Sequence, residues 1–127
     1  MSTDAPFISG HGLTVRAIRY SLGLSPQELA ELMGYSYQSI SYWERNVRRV
    51  PRDAFGKLTA LQTELEAEVL EHLTSNDPMT FTLDHSEGAR PLGWQMMVAS
   101  RIARIHPMLV IQDDPDAPAP RVRTVHA

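Results

Sequence analysis

Two short amphipathic segments separated by a glycine, within residues 24–46, constrain the fold of this chain more than any other feature. In the first segment, Ser25 occupies the position of a helix N-cap and Pro26 that of the first helical residue, where its missing N–H is not needed. Glu28 stands three residues after Ser25, which completes a capping box. Gly34 predicts the end of this helix, because glycine adopts the left-handed C-terminal conformation without a Cβ penalty.

A second short helix is predicted over residues 37–45, with Ser36 as its N-cap. Ile40 and Trp43 are three residues apart and therefore share the inward face. The side chains left on the outward face are Tyr37, Gln38, Ser41 and Tyr42. Two short helices joined by a glycine-bearing turn form the helix-turn-helix pattern.

The pattern also carries a family resemblance, in its core, turn and cap positions together. These positions are Leu24, Ser25, Glu28, Leu29, Ala30, Gly34, Ser36, Ile40, Trp43 and Glu44. Through them the chain resembles the Cro/C1-type (Xre-like) helix-turn-helix family of DNA-binding regulators over about residues 12–52. That family usually has glutamine as the first residue of its second helix, contacting a phosphate. Here Pro26 takes that place and Gln27 follows it.

Positive charge is concentrated in the same part of the chain, although the whole chain has a net charge of −3. Residues 1–52 hold six arginines against four carboxylates, a net charge of +2, and the remainder has a net charge of −5. The six arginines are Arg16, Arg19, Arg45, Arg48, Arg49 and Arg52. A basic region confined to a helix-turn-helix is the electrostatic footprint of a DNA-binding protein.

Base edges in a major groove are read by side chains of a recognition helix, here the second helix of the pair. The predicted base-reading residues are Tyr37, Gln38, Ser41 and Tyr42. Among them, Gln38 can form a bidentate pair with adenine. Contacts to the DNA backbone are expected from groups at the helix starts and from the basic loop after the recognition helix. The predicted phosphate-binding residues are Gln27, Ser36, Ser39, Arg45, Arg48, Arg49 and Arg52.

Arg19 has two interpretations. It could bind a DNA phosphate, or it could form a structural ion pair with Glu44 of the recognition helix, as the family resemblance implies. We favour the ion pair. Removing one partner of such a pair strongly destabilises a fold, so the two interpretations predict different variants.

The sequence predicts a mainly α (α+β) fold, with a helix-turn-helix bundle of four to five helices, a long connecting helix and a small C-terminal β-α-β unit. The first helix is marked by Leu13, Ala17, Ile18 and Leu22. Apolar residues recur every three or four positions over 54–74, which predicts the long helix, and its acidic flank is interpreted as a solvated face. Strands are predicted at 80–83 and 108–111, on either side of a helix at 92–104. The predicted domains are a loose N-terminal arm at 1–11, the helix-turn-helix domain with its long helix at 12–74, a dimerisation unit at 75–112 and a proline-rich acidic tail at 113–127.

Two short strands and one helix cannot bury their faces alone, so the C-terminal unit needs the long helix or a second copy of the chain. The predicted dimer-interface residues are Phe81, Leu83, Trp94, Met97, Leu109 and Ile111. The chain also resembles, more weakly, the anti-CRISPR-associated and YdiL-like small regulators. That resemblance is carried by residues 42–44, residues 50–51, the long helix and a C-terminal helix with a tryptophan. It implies a dimer formed by the C-terminal part and repression of a small operon.

The sequence contains little that indicates an enzyme, a metal-binding protein or a membrane protein. There is no cysteine, and the five histidines have no metal-ligand spacing. These histidines are His11, His72, His85, His106 and His126. No apolar run approaches the roughly 20 residues of a membrane span, and the N-terminus has no signal-peptide pattern. We therefore expect a cytoplasmic protein that is not an enzyme and has no cofactor or metal.

The sequence as a whole predicts a transcriptional regulator that binds double-stranded DNA as a homodimer on an inverted repeat, most simply a repressor, with its own operon as a possible target. Two alternatives stay open. One is an antitoxin-type DNA-binding protein whose C-terminal part binds a partner protein. The other is an effector-responsive switch with a small ligand around Trp94.

Overall fold

The computed structural model describes residues 7–8 and 10–113, and this part of the chain forms five helices and four short strands. The helices are α1 (Gly12–Ser21), α2 (Pro26–Met33), α3 (Tyr37–Glu44), α4 (Arg52–Leu73) and α5 (Leu92–Ile105). The strands are β1 (Phe7–Ile8), β2 (Val50–Pro51), β3 (Thr80–Leu83) and β4 (Val110–Asp113). The predicted mainly α architecture with a small C-terminal β-α-β unit is confirmed. The predicted tail beyond 113 lies outside the described residues.

The caps of α2 and α3 form as the local sequence requires. Ser25 Oγ accepts a hydrogen bond from Glu28 N at 3.1 Å, and Glu28 Oε1 accepts one from Ser25 N at 2.9 Å, which is the predicted capping box. Gly34 ends α2 with φ of +76°. Ser36 Oγ accepts from Ser39 N at 3.1 Å and starts α3. The bounds of α2 and α3 are therefore set by contacts between residues no more than four positions apart.

The helices of the N-terminal bundle enclose one apolar core. α2 packs on α3, α1 on α3, and α4 closes the bundle. The fully or nearly buried side chains here are Val15, Leu22, Leu24, Leu29, Ile40, Trp43, Val50, Ala54 and Leu58. The predicted inward pair on α3 is among them. On α1, however, the marker residues Leu13 and Ala17 lie on the exposed face, and Val15 takes the core position instead.

Part of the N-terminal arm is paired rather than loose. Phe7 and Ile8 form an antiparallel pair with Pro51 and Val50, respectively. Val50 is buried, and the arm runs beside the short extended segment that leads into α4. The prediction of a loose arm is therefore wrong for these two residues. The other residues of the predicted arm before His11, apart from Gly10, lie outside the described part of the chain.

β3 and β4 are parallel neighbours, with Thr80 opposite Val110 and Leu83 opposite Asp113. Parallel strands need a crossover connection, and α5 supplies it. The last strand begins two residues later than predicted because a turn intervenes, in which Leu109 N donates to His106 O at 2.9 Å. α5 packs against α4, so the long helix covers the β-α-β unit. The buried side chains between α4 and α5 are Leu61, Leu65, Val69, Trp94, Val98, Ala99 and Ile102.

The acidic flank of α4 is exposed, in agreement with the predicted solvated face, but two of its carboxylates also have partners that the sequence did not predict. Glu64 Oε2 accepts a hydrogen bond from Arg90 Nη2 at 2.7 Å, and Glu66 forms an ion pair with Arg101 of α5. The partners stand 26 and 35 positions along the chain, beyond the reach of a local pattern. These carboxylates join the long helix to the C-terminal unit.

Trp94 is the centre of the same junction. Its side chain has no exposed surface, and its Nε1 donates to both oxygens of Glu68 at 3.1 Å. The Arg90 guanidinium lies 4.3 Å from the centroid of the Trp94 ring and 3.4 Å from Glu68 Oε2. Trp94 therefore cannot contact a second chain, which corrects the prediction that it lies in a dimer interface. Because the Trp94 indole is fully covered by its own chain, none of its faces is accessible to a small ligand.

The first turn of α5 also meets the end of α1. Gly23, which follows α1 with φ of +70°, and Gly93 approach so closely that a Cβ atom on either would overlap the backbone of the other. This contact fixes the start of α5 against the helix-turn-helix bundle.

Candidate nucleic-acid interface

The outward side of α3 carries the four predicted base-reading side chains. Tyr37 and Gln38, in the first turn, are exposed, with 52% of Tyr37 accessible. Ser41 and Tyr42, one turn later, are half-buried. The opposite side of α3 faces α1 and α2. The first turn of the predicted recognition helix is therefore open to solvent.

Tyr42 stands at the centre of a polar cluster on this face. Gln38 Nε2 donates a hydrogen bond to Tyr42 Oη at 2.7 Å, one helical turn away. The guanidinium groups of Arg45 and Arg48 lie 5.4 Å and 4.8 Å from the centroid of the Tyr42 ring. Such distances are those of cation–π contacts, so two positive charges are held beside the side chains that the sequence predicts to read bases.

The predicted phosphate-binding residues occupy three places. Gln27 is exposed in the first turn of α2, whereas Ser36 and Ser39 lie at the start of α3. Ser36 Oγ also donates to Ser39 Oγ at 3.0 Å. The arginines follow the end of α3: Arg45, Arg48 and Arg49 are exposed, and Arg52 opens α4.

A groove of about 700 Å³ runs beside α3, between this helix and the loop that follows it. Its lining is Phe7, Tyr35, Ser39, Trp43, Val47, Arg48, Arg49 and Pro51. Tyr35 packs edge-on against Trp43 with ring centroids 4.9 Å apart. Tyr35 was not among the residues predicted from the sequence. It lies in the turn between α2 and α3, outside either helix, so the helical pattern carried no signal for it.

The ion pair of Arg19 and Glu44 ties α3 to α1. Arg19 Nε lies 2.6 Å from Glu44 Oε2, and Arg19 Nη2 donates to Glu44 Oε1 at 2.8 Å. Arg19 Nη1 donates to Leu24 O at 3.1 Å. Both side chains are less than a tenth exposed. The hydrogen bond to Glu44 raises the pKa of Arg19 above its ordinary value despite its burial. With its nitrogens engaged inside the protein, Arg19 takes the structural place that the sequence favoured.

Asn46 makes a second link between α3 and α1. It follows the end of α3 in the left-handed conformation, with φ of +58°. In addition, its Oδ1 accepts a hydrogen bond from Gly12 N at 3.0 Å, at the start of α1. A Cβ atom on Gly12 would overlap Trp43 O, so the two chain segments are in close contact. The end of α3 is thus anchored to α1.

The other predicted dimer-interface residues are covered to different extents. Phe81, Met97 and Leu109 are half-buried against the core of their own chain, and Leu83 is also half-buried. Ile111 is 40% exposed. Large apolar side chains that remain exposed on the C-terminal unit are Met79, Leu92, Met96, Ile105, Met108, Val110 and Ile111.

Residues 15–60 match the family model described as Helix-turn-helix. The segment is therefore similar to the helix-turn-helix domains of Cro/C1-type DNA-binding regulators, as the capping and core pattern predicted. The match ends within α4 and lends no support to the weaker resemblance to anti-CRISPR-associated regulators. No curated protein matches the chain.

Within residues 7–8 and 10–113, none of the helices combines the length and apolarity needed to cross a membrane. The same residues include no group of three or more histidine, aspartate or glutamate side chains placed to bind a metal ion.

Proposed function

We propose that this chain is a sequence-specific transcriptional regulator, a homodimeric repressor that binds an inverted repeat through the major groove. The observation that carries the proposal is the outward face of α3, where Tyr37 and Gln38 are exposed and arginines follow the end of the helix. A recognition helix uses its N-terminal side chains to contact base edges. Repression would be steric, because the bound dimer occupies promoter DNA, including that of its own operon if the operator lies there.

We assign base reading to α3, and contact with the DNA backbone to residues at the helix starts and after α3. Gln38 is the side chain whose amide matches adenine. Tyr37 is the most exposed aromatic residue of α3 and could contact a thymine methyl. The hydroxyls of Ser36 and Ser39, the amide of Gln27 and the arginine side chains after α3 would hold the sugar–phosphate backbone. Those contacts fix the register of the protein on DNA without selecting a sequence.

A dimer is proposed because one module of this size makes too few base contacts for tight, selective binding. β4 is the best candidate for the shared surface, since all four of its residues are exposed. It also belongs to a two-stranded sheet, in which each strand has one edge without a neighbour in the described chain. Pairing of β4 with its copy across a two-fold axis would bury Val110 and Ile111 and double the sheet.

The alternative is an antitoxin-type protein, in which the same exposed apolar residues of the C-terminal unit bind a different chain. Met108, which is 80% exposed, and Val110, which is 56% exposed, favour some protein partner without specifying which. Purification from the native host distinguishes the two cases. A stoichiometric second chain that blocks self-association supports the antitoxin, whereas a homodimer supports the repressor.

The test of the proposed function is selection of binding sites from a random duplex library, followed by sedimentation of the protein with the selected duplex. We expect an inverted repeat with half-sites about 34 Å apart, one turn of the duplex, and two protein chains per site. Enrichment of no sequence, or of a single site bound by one chain, would contradict the proposal.

A further inference from the structure

The amide of Gln38 is already engaged in the DNA-free chain. Its Nε2 donates to Tyr42 Oη at 2.7 Å, and both residues lie on the outward face of α3. A hydrogen bond between side chains four residues apart on a helix restricts the rotamers of both. A long polar side chain that would otherwise sample many conformations is therefore held in one.

Tyr42 is itself fixed at both ends. Its ring has the guanidinium carbons of Arg48 and Arg45 at 4.8 Å and 5.4 Å from the centroid. Its carbonyl oxygen accepts hydrogen bonds from Val47 N at 2.8 Å and Arg48 N at 3.3 Å, which tie the end of α3 to the following loop. The hydroxyl of Tyr42 is thus a stationary acceptor for the Gln38 amide.

This hydrogen bond determines which groups Gln38 still offers. A glutamine amide has two N–H donors and one carbonyl oxygen. One N–H is directed to Tyr42, which leaves one N–H and Oε1 available. Adenine presents one acceptor, N7, and one donor, N6, in the major groove, so the remaining pair matches it. An amide turned the other way would present two donors, which match the two acceptors of guanine.

We propose that Tyr42 is a positioning residue that holds the Gln38 amide in the orientation that selects adenine over guanine. The inference depends on the proposed DNA-binding function and assigns the role of one of its base-reading residues. Tyr42 then acts through Gln38, and the order that Gln38 needs for bidentate contact is present before DNA arrives. A preorganised side chain loses less conformational entropy on binding than a free one.

The experiment is a double-mutant cycle on the selected operator, using the full chain. The variants are Gln38→Ala, Tyr42→Phe and the double variant, and Tyr42→Phe removes only the hydroxyl while keeping the ring. We expect Tyr42→Phe to weaken operator binding about two- to tenfold, the value of one hydrogen bond, with binding to random duplex unchanged. In the Gln38→Ala background the same substitution should have no effect. Repeating the site selection with Tyr42→Phe should relax one position per half-site from adenine to a mixture of adenine and guanine.

Additive losses in the cycle would overturn the inference, because they would mean that Tyr42 contacts DNA itself. The inference would also be overturned if Tyr42→Phe lost base selectivity at a base pair other than the one that Gln38→Ala affects. Wild-type protein that enriches no sequence contradicts the proposed function, which is a separate failure. The control is Thr63→Ala, which removes an exposed hydroxyl from α4 far along the chain from α3 and should leave operator affinity unchanged.

A measurement without DNA tests the structural half of the inference. In a ¹⁵N-correlated NMR spectrum, the Gln38 side-chain amide proton directed to Tyr42 should be shifted from its value in an exposed glutamine and should exchange more slowly with water, and Tyr42→Phe should return it to that value. Thr63→Ala should leave this signal in place. Gln38 signals that already match those of an exposed glutamine in the wild type would show that the hydrogen bond does not persist, and would overturn the inference even if DNA binding is specific.

Discussion

Arg19 and Glu44 are charged groups held away from water, and the bundle tolerates them because each charge has several partners. Arg19 donates to both carboxylate oxygens and to Leu24 O. Arg16 Nε adds a further contact to Glu44 Oε1 at 3.3 Å. A buried charge is most costly when it is uncompensated, so the fold needs both members of the pair together. At the scale of residues, it sets the relative positions of α1 and the recognition helix.

Replacing Arg19 therefore tests a structural role. Arg19→Ala leaves Glu44 buried without its main partner, and we expect a loss of about 3–5 kcal/mol in the free energy of unfolding, measured by urea denaturation. Arg16→Ala is the matched control. Its side chain is 40% exposed, so its loss should stay below about 1 kcal/mol. A stable Arg19→Ala variant that has lost only DNA affinity would show that Arg19 binds phosphate instead.

Asn46 combines two requirements that can be separated by substitution. Asn46→Gly keeps the positive φ and removes the acceptor for Gly12 N, so we expect a loss of about 0.5–1.5 kcal/mol. Asn46→Ala also forces a side chain with no local hydrogen bond into the left-handed region, which adds about 1–2 kcal/mol. Thermal unfolding should rank the wild type above the glycine variant and the glycine variant above the alanine variant. A glycine variant as stable as the wild type would mean that the hydrogen bond contributes nothing.

At the scale of elements, the helix-turn-helix was predictable and its attachments were not. The bounds of α2 and α3 depend on Ser25, Gly34 and Ser36, whose partners lie within four residues, so the sequence pattern determines them. The parallel pairing of β3 with β4 and the pairing of β1 with β2 join residues about 30 and 43 positions apart, respectively. The ion pairs of the α4 glutamates could not be predicted for the same reason, because their arginine partners belong to a distant part of the chain.

The junction between α1 and α5 gives a prediction about element packing. Gly93→Ala would place a methyl group against the backbone of Gly23, where neither segment can move without disturbing a helix. We expect a loss of about 1–3 kcal/mol, as for overpacked cores. Gly56→Ala, in the second turn of α4 with open space around it, should instead stabilise the chain by about 0.5–1 kcal/mol. If Gly93→Ala behaves like Gly56→Ala in thermal unfolding, α5 does not touch α1 as described.

At the scale of the whole molecule, the C-terminal unit completes its own packing against α4 and still has apolar residues at its surface. Phe81, Met97 and Leu109 are already half-buried within the chain, so they have less surface left for a dimer than the sequence suggested. The sequence could not distinguish packing within the chain from packing between chains, because an apolar residue on a predicted helix or strand suits both. The exposed strand β4 is the surface proposed for association.

The dimer proposal is tested at β4. Val110→Lys places a charge on the exposed strand, and charged residues on an edge strand oppose pairing with another strand. We expect sedimentation equilibrium to show at least a tenfold weaker dimer, with the secondary structure unchanged by circular dichroism. Thr63→Lys, on the exposed side of α4, is the control and should leave the dimer intact. An unchanged dimer in Val110→Lys would place the interface elsewhere, and a wild-type monomer would remove the proposed dimer.

The central claim is that the exposed face of α3 reads bases and that the arginines after it contact phosphates. Gln38→Ala and Arg49→Ala separate these roles when affinity is measured on the selected operator and on random duplex over a range of salt concentrations. We predict that Gln38→Ala costs about 1–3 kcal/mol on the operator alone, whereas Arg49→Ala weakens binding to both duplexes alike and lowers the salt slope by about one. Equal weakening of the two duplexes by Gln38→Ala would contradict the account.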